Sequence, residues 1–425
     1  MLVLIMTLAA SAHPAASMPA LQGPGEQVYL PVIRSGAGDV VIPPPPEDEA
    51  SSRISVPPGF EIRIFATDLG RPRLMTVGPD GMLYVALYNA NVIARLPDRN
   101  HDGLADDIEL AASGLISPHN LEFRNGVMYV AEIGRVSRLS DNNGDGVYET
   151  RQTVTDNIPG SGGHNTRTLH FGPDGNLYVA AGSSSNVTIE SDPRRAAILR
   201  FTPEGGIPAD NPFAGDPDTR KQAVWAYGLR NSVDFLWRPN GTLWATHNGS
   251  DGMGDDVPPE ELVIAVQKGQ NHGWPYCYTP TMGVNIPQQP EVRDTRVPLP
   301  AGFNCGMAVP ALLTIPAHSA PLGITAAAGS DFPAAYQDDA FAAIHGSWNT
   351  TSGSVRDCKV ERIIVENGQV TGSETFATGW RAPGQACGAA ATWGRPAGVT
   401  IGSDGALYIS DDKGGRIYRV FYTGN

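Results

Sequence analysis

His164 stands in the run GGHNTRTLHFGPDGN, between two glycines and an apolar stretch that a Pro-Asp-Gly turn ends. An imidazole titrates near ~6.5, which suits it to general-base work at neutral pH. Further polar groups precede other apolar runs in the same way: His119 and Asn120 in SPHN, Arg230 and Asn231 in GLRN, and Arg395 in GRPAG. A base beside two guanidinium groups is equipment for removing a proton from one ligand while holding an anion by charge-assisted hydrogen bonds. Taken singly, each such residue is more often a loop side chain satisfied by backbone carbonyls. Recurrence at one place of a repeat makes them a candidate site.

A second chemistry is written in two acidic stretches. DRNHDGLADDIE puts Asp98, Asn100, Asp102, Gly103, Asp106 and Glu109 at the first, third, fifth, sixth, ninth and twelfth places of a calcium loop. Oxygens at alternate positions wrap a hard cation, and the glycine allows the bend. DNNGDGVYETRQ repeats the pattern from Asp141, with the weaker ligand Gln152 last. No helical pattern flanks either stretch, so the alternatives are calcium-stapled loops and Asx-rich turns without metal. Walker loops, H-E-x-x-H, G-x-S-x-G and a dinucleotide fingerprint followed by a helix are all missing, which sets those chemistries aside.

The elements that must position these residues are strands. The 425 residues include 49 Gly and 36 Pro, only 17% are charged, and short apolar runs alternate with turn residues. That pattern is all-β. Six segments repeat strand, tight turn and strand: LMTVGPDGMLYVAL, NLEFRNGVMYVAEI, TLHFGPDGNLYVAA, FLWRPNGTLWATH, GSDFPAAYQDDAFAAI and GVTIGSDGALYISD. A small sheet is unstable alone and its edges invite aggregation, and radial closure solves both problems. The chain is therefore read as a six-bladed β-propeller, with GFEIRIFA supplying a strand that closes the ring on the last blade. Long insertions around the fourth and fifth units mark one face as functional.

The net charge of −14 argues against nucleic acid as a partner. MLVLIMTLAASA resembles the apolar part of an export signal, so residues 1–17 are read as a leader, 18–55 as a Pro-rich flexible spacer, and 56–425 as the propeller domain. No other apolar run is long enough for a membrane span, and a secreted, periplasmic or cell-surface location is expected. The four cysteines fit that compartment. Cys277 with Cys305 and Cys358 with Cys387 is the preferred pairing among the three possible, with buried free thiols as the alternative.

The stretches PPGFEIRIFATDLGRPR, GGHNTRTLHFGPDGNLYVAAGSSSN, WAYGLRNS, HNGSDGMGDDVPPEEL, GWPYCY, AHSAPLGI, AAIHGSWN and WGRPAGVTIGSDGALYISDD resemble the glucose/sorbosone dehydrogenase family, nearest its sorbosone dehydrogenase-like branch. The resemblance runs from about Val56 to the C-terminus. It implies a six-bladed propeller that uses pyrroloquinoline quinone (PQQ) and calcium to oxidise a sugar hydroxyl or aldehyde. It implies His164 as the base, Arg230 as the group polarising the quinone oxygen, and Asn231 in contact with the cofactor. Gly249 and Ser250 would offer backbone oxygens to calcium, and Arg395 would hold a quinone carboxylate. His119 and Asn120 join the cofactor set by their place on the second blade, and His318 lies near the family's substrate loop.

Three positions depart from the family pattern. Ser183 replaces the aspartate that orients the base, Ala397 replaces a second arginine, and a lysine expected near IHGSWN is missing, with Lys413 as a substitute. There is no haem-binding C-x-x-C-H, so electrons would leave to a separate acceptor. Two competing readings remain open. One is a propeller lactonase with a calcium cage from Asn120, Asn165 and Asn231; the other is a non-catalytic carbohydrate-binding propeller.

Overall fold

Three of the repeats share a staple built from D-G-x-L-Y. Asp80 accepts from Met82 N (3.1 Å) and the Tyr84 hydroxyl (3.1 Å). Asp174 does the same with Asn176 N (3.0 Å) and Tyr178 (3.0 Å), and Asp404 with Ala406 N (3.3 Å) and Tyr408 (3.2 Å). One carboxylate thus closes the turn and pins the next strand. In the second repeat Asn125 and Gly126 have φ of 51° and 77°, the paired positive angles of a two-residue hairpin. The fifth repeat lacks a tight turn and instead carries a short 3₁₀ segment, Ala334–Tyr336, which explains its divergent sequence.

The computed structural model describes residues 48–424, apart from 286–287, 352–354 and 391, together with the strand pair Ile33–Arg34 and Val40–Val41. The leader expected at 1–17 lies outside the described residues. Met1–Pro43 and Pro44–Asn425 are two compact units, and the first is described only by that strand pair.

The second unit is a six-bladed β-propeller, as the repeats predict. The blades begin with inner strands Pro72–Val77, Asn120–Arg124, Arg167–Phe171, Phe235–Trp237, Pro321–Ala326 and Pro396–Ile401. Successive inner strands touch all the way round, including the last against the first. Phe60–Ala66 pairs antiparallel with Arg416–Tyr422 and completes blade six.

Strand alternation builds the cores between blades. In Leu83–Leu87, Leu83, Val85 and Leu87 pack toward blade six, while Tyr84 and Ala86 pack toward blade two. Burying each large side chain of this kind contributes ~1.5–3 kcal/mol.

Residues 48–55, expected to belong to the spacer, are folded instead. Asp48 caps a helix at Glu49–Arg53 and accepts from Ile64 N (2.5 Å), while Ala50 and Ile54 enter the core between blades five and six. A five-residue helix leaves no apolar periodicity in the sequence, so it escapes notice there.

Both disulfides form as expected, Cys277–Cys305 in the blade-four insertion and Cys358–Cys387 beside blade five. Among the described residues no helix is long and apolar enough to cross a membrane.

Candidate functional site

Every blade starts its inner strand at the same end of the ring, and the second strand returns there. The pairings Pro72↔Leu87, Arg167↔Ala181, Pro321↔Ile344 and Pro396↔Asp411 show this register. Residues just before an inner strand and just after a second strand are therefore gathered on one face. His164, Arg230, Asn231, His318 and Arg395 all belong to that set.

His164 Nδ1 lies 2.8 Å from Ser183 Oγ, and the Ser183 hydroxyl donates to Ser185 O (2.7 Å). The hydroxyl has one proton, so its oxygen must accept from Nδ1–H. This fixes the tautomer and leaves Nε2 with its lone pair and no hydrogen-bond partner among the described residues. Burial, helped by the Arg230 charge, lowers the His164 pKa to about 4. A Cβ at Gly182 would fall 2.5 Å from His164 Cβ and 2.9 Å from Asn231 Oδ1, so only glycine lets these two residues meet over blade three.

Arg230 is buried and clamped. Its Nε donates to Asn186 O (3.0 Å), Nη1 to Asn248 O (3.2 Å), and Nη2 to Asp251 Oδ2 (3.1 Å). Asp251 escaped the sequence reading, yet it is a hub. Its Oδ1 also meets His318 Nδ1 (3.2 Å) and Asn349 Nδ2 (2.7 Å). The His318 bond, with Arg230 nearby, outweighs burial and holds the Asp251 carboxyl at about 2, while the same bond raises the His318 pKa.

A second cluster lies across the face. Arg73 Nη1 and Arg71 Nε donate to Asp412 Oδ2 (2.5 and 3.3 Å), and His345 Nε2 is 2.7 Å from Asp412 Oδ1. Burial pushes the Asp412 carboxyl up, but the surrounding charges win and hold it far below the usual range. Arg395 donates Nε to His345 O (2.8 Å) and Nη2 to Gly346 O (2.9 Å). Among the described residues Arg395 has no ion-pair partner, and burial lowers its pKa to about 10. Arg73 Nε is buried without a partner. Arg71 stands ahead of blade one as Arg395 stands ahead of blade six, and Arg73 takes the place within the inner strand that Ala397 takes there, so the signal was present in LGRPRL. They bring guanidinium charge where Ala397 and the missing lysine withhold it.

The Gly249–Ser250 turn offers carbonyl oxygens that accept no hydrogen bond among the described residues, while Gly249 N donates to Glu260 Oε2 (2.6 Å). Burial, opposed by that N–H, raises the Glu260 pKa to about 7. Carbonyl oxygens of this kind are ligands that a hard cation takes. Unpaired guanidinium charge in a chain of net charge −14 likewise suits an anionic ligand.

Other candidates are placed differently. His119 is 0% exposed and both its ring nitrogens are engaged, Nδ1 with Thr168 Oγ1 (3.1 Å) and Nε2 with Arg73 Nη2 (3.1 Å). It buttresses Arg73 from behind rather than facing a ligand. Asn120 Oδ1 accepts from Leu169 N (3.0 Å), so it joins two inner strands. Lys413 donates to Ala389 O instead of reaching inward.

In the first acidic loop Asp98 accepts from Asp102 N (3.1 Å) and Gly103 N (2.9 Å), and Asn100 from Asp102 N (3.0 Å). There Asp106 accepts from Arg99 N (2.6 Å), and Glu109 pairs with Arg95 and Arg99. Asp141 likewise holds Gly144 N (2.7 Å) and Gly146 N (2.8 Å). Both loops are Asx turns closed on their own backbone. Among the described residues neither gathers three His, Cys, Asp or Glu ligand atoms; the sole such group, Asp357 with Cys358 and Cys387, contains a disulfide.

The TrAA12-like family model matches residues 54–423, nearly the whole propeller. The chain belongs to this family. Within it lie the glucose/sorbosone dehydrogenase motifs that the sequence resembles. The Escherichia coli aldose sugar dehydrogenase YliI is 32% identical over 128 residues, 29% of this chain and 32% of that protein. The holo PQQ domain of Coprinopsis cinerea pyranose dehydrogenase superposes with a TM-score of 0.70 at 20% identity, over 89% of this chain and 98% of that one. A calcium structure of the Trichoderma reesei family AA12 enzyme gives 0.66 at 22% identity, over 87% and 97%. At these identities the two structures establish the fold.

Proposed function

We propose that the protein is a PQQ- and calcium-dependent oxidoreductase acting on a sugar hydroxyl or aldehyde. The observation that carries the proposal is a neutral imidazole, His164, presenting an unoccupied Nε2 on the same face as the unpaired guanidinium of Arg395. Relatives that bind PQQ, calcium or aldoses share the family and the fold, which supports the reading.

Arg395 and Arg73 would hold quinone carboxylates, Asn231 would contact the ring system, and Gly249 and Ser250 with Glu260 behind them would hold calcium. When bound, the quinone supplies a two-electron acceptor and the cation supplies Lewis-acid polarisation. His164 Nε2 takes the proton from the substrate hydroxyl, while Ser183 keeps the ring in register. The clamped Arg230 keeps a fixed positive charge beside the base. This disfavours the imidazolium, so the proton passes on readily to solvent. His318, expected near the substrate, is held at both ring nitrogens, Nδ1 by Asp251 (3.2 Å) and Nε2 by Gly254 O (2.9 Å), so it orients Asp251 rather than meeting a substrate hydroxyl.

The test is reconstitution with PQQ and calcium, followed by dye reduction across a sugar panel and hydrolysis across a lactone panel. Sugar-dependent reduction is expected, and His164→Ala should keep quinone binding while losing at least about 10²-fold in kcat. Lactone hydrolysis without sugar oxidation would support the calcium-cage reading, although Asn120 Oδ1 is already committed to Leu169 N.

A further inference from the structure

The chain has seven tryptophans, and among those described only Trp348, at 71% exposed, lies open to solvent. One exposed apolar side chain is ordinary by itself; what sets Trp348 apart is how firmly its backbone is fixed into the site. Trp348 is not on a loose tip. Two residues before it, Gly346 O accepts from Arg395 Nη2 (2.9 Å), and His345 is fixed to Asp412 (2.7 Å). Ser347 is buried and its hydroxyl accepts from Arg356 N (2.8 Å). Immediately after it, Asn349 Nδ2 donates to Asp251 Oδ1 (2.7 Å), the oxygen that also holds His318. On its backbone side, a Cβ at Gly388 would come within 2.9 Å of Trp348 Cβ, so the neighbouring loop is seated directly against it. The segment 345–349 therefore bridges the two halves of the site, from Arg395 to Asp251, with its one large apolar side chain exposed.

We propose that Trp348 is the stacking platform for the ring of a pyranose substrate, which sets a preference for cyclic aldoses over open-chain aldehydes. The inference rests on the sugar-oxidising reading above and names its substrate class. A pyranose presents an apolar C–H face that an indole covers, while its hydroxyls are left for His164 and Asn231. The anchors on both sides hold the platform in place before binding, so little ordering is lost when the sugar arrives.

The experiment compares holoenzyme and its Trp348→Ala and Trp348→Phe variants on D-glucose, D-galactose, D-xylose and ring-less glyceraldehyde. Trp348→Ala should raise KM about tenfold for the pyranoses, with kcat within about twofold and no change for glyceraldehyde. Trp348→Phe should restore KM to within about threefold of the parent. Quinone affinity, read by absorbance, should be the same in all three proteins. Unchanged pyranose KM, or an equal rise for glyceraldehyde, overturns the proposal. A readout without turnover separates it from the oxidoreductase reading: D-glucose should quench tryptophan emission of the quinone-free protein, and the quench should vanish in Trp348→Ala. Quenching that survives that substitution overturns the platform, whereas failure to bind quinone overturns only the parent reading.

Discussion

At the scale of single residues, the site depends on a serine where a carboxylate would be the stronger support. Ser183 orients His164 without lending it charge, and burial brings the imidazole pKa down to about 4. The acidic limb of kcat/KM should therefore fall near pH 4, with a flat profile through neutrality. Ser183→Asp should move that limb upward by at least about one pH unit, because a carboxylate beside the ring favours the imidazolium. A limb that stays put in this variant would separate the profile from His164. Arg395 and Arg73 carry a second prediction. Removing either guanidinium by substitution with alanine should weaken quinone binding by about tenfold to a hundredfold, with thermal stability little changed for Arg395→Ala, whose partners are backbone carbonyls. The placement of His164, Arg230 and Arg395 on one face was legible because each stands at a repeated place in a repeated unit. His119 was legible in position but not in role, since occupancy of its two ring nitrogens depends on Thr168 and Arg73. Asp251 and Asp412 were not legible at all. Asp412 meets Arg73 across 339 residues of sequence, and no local spacing announces such a pair.

At the scale of elements, the inner strands are fastened by a polar clamp inside the ring. His170 of blade three lies 3.0 Å from Glu122 of blade two and 3.0 Å from Asp234 of blade four. Burial lowers its pKa, but the two carboxylates win and raise it to about 10. With the folded pKa above the unfolded value near ~6.5, the clamp's stabilisation is complete below pH 6.5 and is lost as pH rises through about 10. His170→Gln should cost about 2 kcal/mol at pH 6, by chemical denaturation, and progressively less toward pH 10. A cost independent of pH would show that the clamp acts by packing alone. The hairpins themselves were readable from D-G-x-L-Y and R-N-G, where one residue decides the turn. The acidic loops were readable as calcium patterns, yet Glu109 goes to Arg95 and Arg99, because strand register places those guanidinium groups beside it.

At the scale of the molecule, one strand from near the N-terminus holds the ring shut. Phe60–Ala66 covers the edge of Arg416–Tyr422, and Asp48–Arg53 packs on that junction. A protein beginning at Asp48 should keep its thermal midpoint. One beginning at Asp68 should unfold at lower temperature with loss of cooperativity and should aggregate, because a full sheet edge is then bare. Equal midpoints would mean that closure does not depend on this strand. The ring also explains why the candidate site collects where it does, since all six inner strands deliver their leading residues to one face. The most direct test of that central claim is a spectroscopic titration of the protein with PQQ in the presence of calcium. Saturable one-to-one binding that is weakened in Arg395→Ala is the expected result. An absorbance spectrum of the quinone unchanged by the protein, at concentrations where calcium is in excess, would contradict it.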